Sequence, residues 1–510
     1  MFEKLLTCIE RYLVPVLTGI FVLRVAYLFI NGLDLIGDES YYWDWSRRPD
    51  WCYYSKPPMV AWLIAIFTGL GGDYTAVVRL PAVVLGMVCL GYLYATAKAF
   101  YSSQAAALAL LLILAMPFNV LANFVMTIDP PLYCFWMMSL YYLHGALFGQ
   151  DKNQRLRSWF WAGVATAAAM LSKQVALLIP VMLVCFLLLD QRRRPLFKRE
   201  FLLYLLPVLL SLVPIVLWNQ QHDWVMFSHS KGHFGIKEAV ALSTRLEQAG
   251  AFLLYQLLLA SPVIFVLILV MAYQAGRRFT RLSAEEQLLM LMGPVLLIGI
   301  LVLSLVQKVQ GNWSMPFYFS ALILLSGRWL AGERKNALKI GVVMGYLMVM
   351  LTYALPVTIQ TFNLHNTPVD PTFRFRHWGE LAASIETVRE KTVPDTEGTL
   401  LIALGHRFLA SQLAFYLPGH PRVYRYEGSG QIVSQYEVWG GPEDAIGKNA
   451  FIVAEQTVAE LPAPLTSVFV HFYEVGTVVN PMDKRKSYHL FLGEHLKVWP
   501  TAQQAPLGGG

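Results

Sequence analysis

The chain has 510 residues, 56% hydrophobic and only 14% charged, with a formal net charge of +7. A mean hydropathy of +0.48 excludes an ordinary soluble domain and points to a polytopic membrane protein carrying some soluble mass. The cations lie between apolar runs, where membrane topology accounts for them, so no nucleic-acid partner is expected.

The chain opens with MFEKLLTCIERYLVPVLTG, which has no small-residue cleavage site after its apolar run and is read as an uncleaved first helix. A bilayer span needs about 17 to 25 apolar residues. Such stretches occur near 12–32, 76–98, 104–123, 130–149, 158–172, 174–190, 201–218, 249–273, 286–306, 313–331 and 338–357, giving an expectation of about eleven transmembrane helices. The run from Pro58 to Gly71 is short and follows Pro57, so it is expected to lie at the interface. Cys8, Cys52, Cys89, Cys134 and Cys185 offer neither zinc spacing nor a disulfide framework.

Orientation follows from the cations of the short loops. Lys152, Arg155 and Arg157, then Arg192 to Arg194 with Lys198 and Arg199, then Arg277, Arg278 and Arg281, then Arg328, Arg334 and Lys335 fall on one side if eleven helices are counted. The positive-inside rule makes that side cytoplasmic. Segment 33–75, Asp129, Lys173, the loop 219–248, the turn 307–312 and everything after about Gln360 then face outward.

After residue 359 the pattern changes. Thr399 to Leu404, Phe451 to Ala454 and Ser467 to Phe472 read as short buried strands, and Trp378 to Glu390 and Phe408 to Tyr416 as helices. The expected organisation is a polytopic α-helical membrane domain over 1–359, with an outer first loop at 33–75, and a C-terminal α/β domain over 360–510. Gly508 to Gly510 read as a flexible end.

Several polar groups stand where the chain leaves the hydrocarbon. The stretch from Gly37 to Pro58, GDESYYWDWSRRPDWCYYSKPP, combines acids, cations, many aromatics and a Pro-Pro pair. An interfacial belt would explain the aromatics, but it explains Asp38, Glu39 and Lys56 poorly. Asp38 and Glu39 are candidates for a general base, with helix capping as the structural alternative. Asp129, in MTIDPPL, carries the same pair of readings. Lys56, Arg79 and Lys173 are lone cations beside apolar sequence, suited to a phosphate at the membrane surface. Tyr41, Tyr42 and Tyr54, with Lys308, Asn312 and Trp313 of the polar turn, are candidates to line a substrate pocket. His229 and His233 are spaced i, i+4 near His222, but no third ligand is evident, so no metal site is assigned.

Asp38-Glu39 after the first span, YYSKPPMVAWLIAIF, the RLP of Arg79 to Pro81, MTIDPPL, LSKQVALLIP and QGNWSMPFY resemble the bacterial C-type glycosyltransferases related to protein O-mannosyltransferases. Within them the chain is similar to the branch of lipid A aminoarabinose and galacturonic acid transferases. The likeness extends through LASQLAFYLPG and SQYEVWGGP. It implies transfer of a sugar, with inversion, from a polyprenyl phosphate donor to a glycolipid or glycan acceptor at the periplasmic face of a bacterial inner membrane. Asp38 and Asp129 then match the family's two loop aspartates, and Lys56 its phosphate-binding lysine. Where the aminoarabinose enzymes carry an arginine three residues beyond the first aspartate, this chain has Tyr41, with Arg79 as a candidate substitute. No cofactor is firmly implied, and a divalent cation is left open. A protein acceptor and a lipid-linked saccharide transporter are the alternative readings. The transporter is disfavoured because the polar groups cluster on one face and no repeat is visible.

Overall fold

The structure, a computed structural model, describes residues 2–194, 199–234, 241–330, 335–365, 367, 370–455, 460–481, 483–484 and 486–499. Lys198, Arg334 and Gly508 to Gly510 lie outside them, as do the side chains of Arg199, His233 and Lys335.

The polytopic helical character expected from the sequence is present. Five described helices are long and apolar enough to cross a bilayer: Leu13–Ile30, Thr75–Phe100, Glu200–Gln221, Ala284–Leu303 and Asn336–Thr361. A sixth arises if Leu242–Ala260 and Pro262–Gly276, bent by 107°, form one broken span. The bend falls at Ser261, whose φ of +65° ends the first helix, while Pro262 opens the second.

Several of the expected stretches carry local breaks, one of them inside the span Ala284–Leu303. Stretch 104–123 divides into Ser103–Leu114 and Pro117–Ala122, with Pro117 at the first position of the second helix. The 12 residues of Ser103–Leu114 reach ~18 Å, short of a hydrocarbon core of about 30 Å. Stretch 174–190 begins with a 3-10 turn, Gln174–Leu177, before the helix Leu178–Leu189. Stretch 286–306 contains a π-helical turn at Leu291–Val295, where Pro294 lacks the amide an α-helix would use. Gly293 in that turn lies directly against the backbone of Phe317 and Ala321, an approach a larger residue would block. Met59–Gly71, with 13 residues, is likewise too short to span upright.

The chain divides into two compact units. The first comprises Met1–Phe29, Arg79–Ile215 and Phe234–Leu355. At its centre the helices Asp129–Phe148 and Lys152–Ser172 form a hairpin. The Asp151 side chain caps the second helix by accepting from the Gln154 amide at 2.6 Å. Ser139 and Thr166 join the two helices through a buried hydroxyl pair 2.7 Å apart. The apolar core around them includes Trp136, Trp159, Phe265, Phe317 and Tyr318.

The second unit comprises Ile30–Val78, Val216–His233 and Pro356–Gly510. Its sheet has five strands: β1 Leu400–Leu404, β2 Val423–Tyr426, β3 Ala450–Ala454, β4 Phe469–Val479 and β5 Ser487–Leu496, in the order β2-β1-β3-β5-β4. β1 runs parallel to β2 and β3, whereas β5 is antiparallel to β3 and β4. β1 and β3 are buried along their whole length, which is why both read as unbroken apolar runs.

The helix Arg407–Tyr416 connects β1 to β2, and the loop helix Gly37–Ser46 packs on it. Ser40 and Ser411 share a hydroxyl contact of 2.8 Å, Gln412 Nε2 donates to the Leu35 carbonyl at 2.8 Å, and Trp43 meets Phe415 edge-on at 4.8 Å. The aromatics of this loop are core residues of the unit. Trp43 and Trp45 are fully buried, Trp45 stacks on Tyr53 at 4.4 Å, and Trp43 Nε1 donates to Asp73 at 2.6 Å. The belt reading therefore fails for them, because both rings are buried within protein and Trp43 bonds to Asp73. Trp51 is the exposed exception.

Candidate active site

Within the first unit, three of the sequence candidates meet. Asp129 is the first residue of its helix, with Pro130 and Pro131 behind it, and Ile128 occupies the cap position. The Asp129 carboxylate instead bridges two side chains. Lys173 Nζ lies 2.7 Å from Oδ1, and Asn312 Nδ2 donates to Oδ2 at 2.5 Å. Lys173 follows the last turn of Lys152–Ser172 in an extended conformation, and so stands at the end of the hairpin where Asp129 begins. Both side chains of this ion pair are only 11% exposed. Each carboxylate oxygen has two lone pairs, so Asp129 keeps acceptor capacity beyond these two bonds.

Asn312 stands on a single 3-10 turn, Gly311–Ser314, and that turn is held from beneath by Gln256. The fully buried Gln256 amide donates to the Gly311 carbonyl at 3.0 Å. Its Oε1 accepts from Ser314 Oγ at 2.7 Å and Tyr318 OH at 2.9 Å. The first two bonds hold the turn from which Asn312 reaches Asp129, and the third anchors Gln256 itself. Gln256 was missed from the sequence. Its signal was an amide inside the apolar run 249–273, where an unpartnered polar group is costly. Arg24, equally unremarked in the first apolar run, is buried and donates to Asn123 Oδ1 at 2.7 Å.

The remaining candidates of this unit are placed separately. Arg79 is buried, with its guanidinium over the Phe124 ring at 4.6 Å. Trp313 packs on the apolar core, and Lys308 is exposed.

In the second unit, Asp38 and Glu39 lie in the first turn of Gly37–Ser46, which starts earlier than an acid pair capping Ser40 would require. Glu39 is fully buried and its Oε2 accepts from the Ile36 amide at 3.1 Å, so it has the capping role. Asp38 and Lys56 are half-buried. The Lys56 carbonyl accepts from the Tyr53 amide at 3.1 Å, which tightens the turn that presents its side chain.

Tyr41 OH accepts from the Gln435 amide at 2.6 Å, while the Arg407 guanidinium lies 5.3 Å from its ring. Burial pushes the Tyr41 phenol well above its ordinary range, so it acts as a neutral hydrogen-bonding group. Tyr54 donates its amide to Gln435 Oε1 at 2.6 Å, and its hydroxyl lies 3.2 Å from His229 Nδ1. Tyr42 is buried edge-on against Trp45 at 5.0 Å. His222 stacks on Trp218 at 4.0 Å. Among the described residues, no group of three or more His, Cys, Asp or Glu is placed to hold a metal ion.

Comparison with known proteins adds three likenesses. The dolichyl-phosphate-mannose-protein mannosyltransferase family model matches residues 55–218. The lipid A galacturonosyltransferase RgtD of Rhizobium johnstonii is 26% identical over 447 residues, covering 86% of this chain and 89% of that protein. The structure of ArnT from Cupriavidus metallidurans bound to undecaprenyl phosphate superposes with a TM-score of 0.65 at 16% identity, over 98% of this chain and 99% of that one. Its apo form gives 0.62 at 17% identity, over 93% and 98%. By sequence the chain is similar to a mannosyltransferase family over 55–218 and to a lipid A galacturonosyltransferase over most of its length, and it shares the fold of ArnT.

Proposed function

We propose that this chain moves a sugar from a polyprenyl phosphate carrier to a glycolipid of the bacterial envelope, with lipid A as acceptor, at the periplasmic face of the inner membrane. The observation that carries the reading is the nearly buried Asp129, held by Lys173 and Asn312. Such ionic groups in a membrane protein are expensive to keep and mark a substrate site. The acceptor class is supported by the relative named as a lipid A galacturonosyltransferase, and the carrier by the similar fold solved with undecaprenyl phosphate.

In this reading the acceptor oxygen attacks the anomeric carbon, the carbon–oxygen bond to phosphate breaks, and polyprenyl phosphate leaves with the electron pair. Charge grows on the departing phosphate, and Lys56 is the cation assigned to it, since fixed charge there favours the transition state. A hydroxyl acceptor gives its proton to a carboxylate, whereas an ionised phosphate acceptor needs no base. Glu39 is committed to its helix cap, so the base role in the first loop is assigned to Asp38.

The purified full chain in detergent, supplied with undecaprenyl-phosphate-linked galacturonic acid and lipid A, tests this. Mass spectrometry is expected to find sugar on lipid A and carrier phosphate released in equal amount. Sugar found on protein hydroxyls and not on lipid A would overturn the acceptor assignment.

A further inference from the structure

Where the helix Pro262–Gly276 ends, the chain places four arginines around one concavity. Arg277, Arg278 and Arg281, together with Arg328 from the helix Met315–Leu330, line a cavity of about 720 Å³ with Tyr273 and Thr280. Arg328 is neutralised by Glu286, whose Oε1 lies 3.0 Å from its Nη1 and which also accepts from Tyr101 OH. Arg277, Arg278 and Arg281 are exposed, and no carboxylate pairs with them among the described residues. Like charges facing one hollow repel, and their side chains bring planar forks suited to an anion with several oxygens. The helix C-terminus offsets part of this repulsion, but that effect fades within its last turn.

The surroundings select the kind of anion. Pro262–Gly276 is apolar, with Val266 51% exposed on its flank and Tyr273 65% exposed at its end. An exposed tyrosine at the end of an apolar helix sits at headgroup level, and the flank below it is a surface for acyl chains. We infer that the cavity lined by Arg277, Arg278, Arg281 and Arg328 binds the phosphate headgroup of an anionic phospholipid, whose chains lie along Pro262–Gly276. This site is independent of the transfer reaction and adds a lipid dependence to the protein. It uses charges that orientation alone would need only somewhere on that side, and it explains why a loop and a helix end bring them to one hollow.

The test uses the full chain in detergent with phosphatidylglycerol or chain-matched phosphatidylcholine, counting retained lipids by native mass spectrometry. The wild-type chain is expected to retain phosphatidylglycerol preferentially. The triple variant Arg277→Gln/Arg278→Gln/Arg281→Gln should bind it on the order of 100-fold more weakly, and the single Arg278→Gln several-fold, which covers the case in which the triple variant fails to insert. Arg192→Gln/Arg194→Gln removes two other loop cations and should leave the preference intact. Unchanged preference in the triple variant and in Arg278→Gln would overturn the proposal, as would equal loss in the Arg192/Arg194 control. Thermal protection by inorganic phosphate, with none from phosphatidylglycerol, would replace the lipid by a soluble phosphate.

Discussion

Lys173 Nζ lies 2.7 Å from Asp129 Oδ1, joining the end of one helix of the hairpin to the first residue of the other. The contact closes the hairpin at the end where Asn312 also arrives, so one carboxylate ties together three parts of the chain distant in sequence.

Breaking this pair from either side leaves a buried charge alone. Asp129→Asn and Lys173→Met are each expected to cost about 3 kcal/mol of stability, and the double variant less than their sum, because it strands no charge. Thermal unfolding of the three variants in detergent checks this. Strictly additive losses would show that the two groups do not act as a pair.

Gln256 is a positioning residue and is expected to behave as one. Gln256→Leu removes the support of the Gly311–Ser314 turn, so kcat should fall by ~10-fold or more while the donor KM changes little. Steady-state kinetics with the lipid-linked donor separate the two parameters. A raised KM with unchanged kcat would place Gln256 in donor binding instead.

How far the sequence revealed this depended on whether a residue acts locally or through distant partners. Asp129, Lys173 and Asn312 could each be singled out as a polar group at the edge of an apolar run. Their convergence could not, because Asn312 lies 183 positions from Asp129 and arrives only through the packing of other helices. Gln256 has no motif, and its three bonds exist only once Gly311, Ser314 and Tyr318 are stacked against it. The buried strands β1 and β3 were legible because both faces are apolar. β2, with its pattern VYRY, and β5, whose apolar centre Leu490 to Leu492 is flanked by polar residues, escaped notice. An interfacial belt could account for the loop aromatics in the sequence, because sequence cannot tell a tryptophan facing lipid from a buried one bonded to Asp73, as Trp43 is.

Cys52 offers a pH test of the second unit. Burial pushes its thiol up to about 12 from an ordinary value of 9.0. A group whose folded value is raised gives stability that is complete below the unfolded value and is lost as pH climbs towards the folded one. The unit should therefore lose stability between pH 9 and pH 12. Maleimide at neutral pH should label the exposed Cys8 and spare Cys52 until the protein unfolds. Rapid labelling of Cys52 in the folded chain would contradict this burial.

Topology is checked independently of chemistry. Reporter fusions after Arg194 and after Gly398 are expected to give opposite signals, with the first cytoplasmic and the second periplasmic. Equal signals would contradict the assigned sidedness.

The central claim is that the chain transfers sugar with a loop carboxylate in the mechanism, and Asp38→Asn addresses it most directly. Asparagine keeps the size and most of the local hydrogen bonding of aspartate but cannot take a proton. Envelope glycolipids from cells lacking the gene, complemented with wild type and complemented with Asp38→Asn at equal membrane insertion, are compared by mass spectrometry. The account predicts a sugar-bearing lipid A species that wild type restores and that Asp38→Asn forms at a rate lower by ~100-fold or more. No difference in any glycolipid between deletion and wild type, or full restoration by Asp38→Asn, would contradict it.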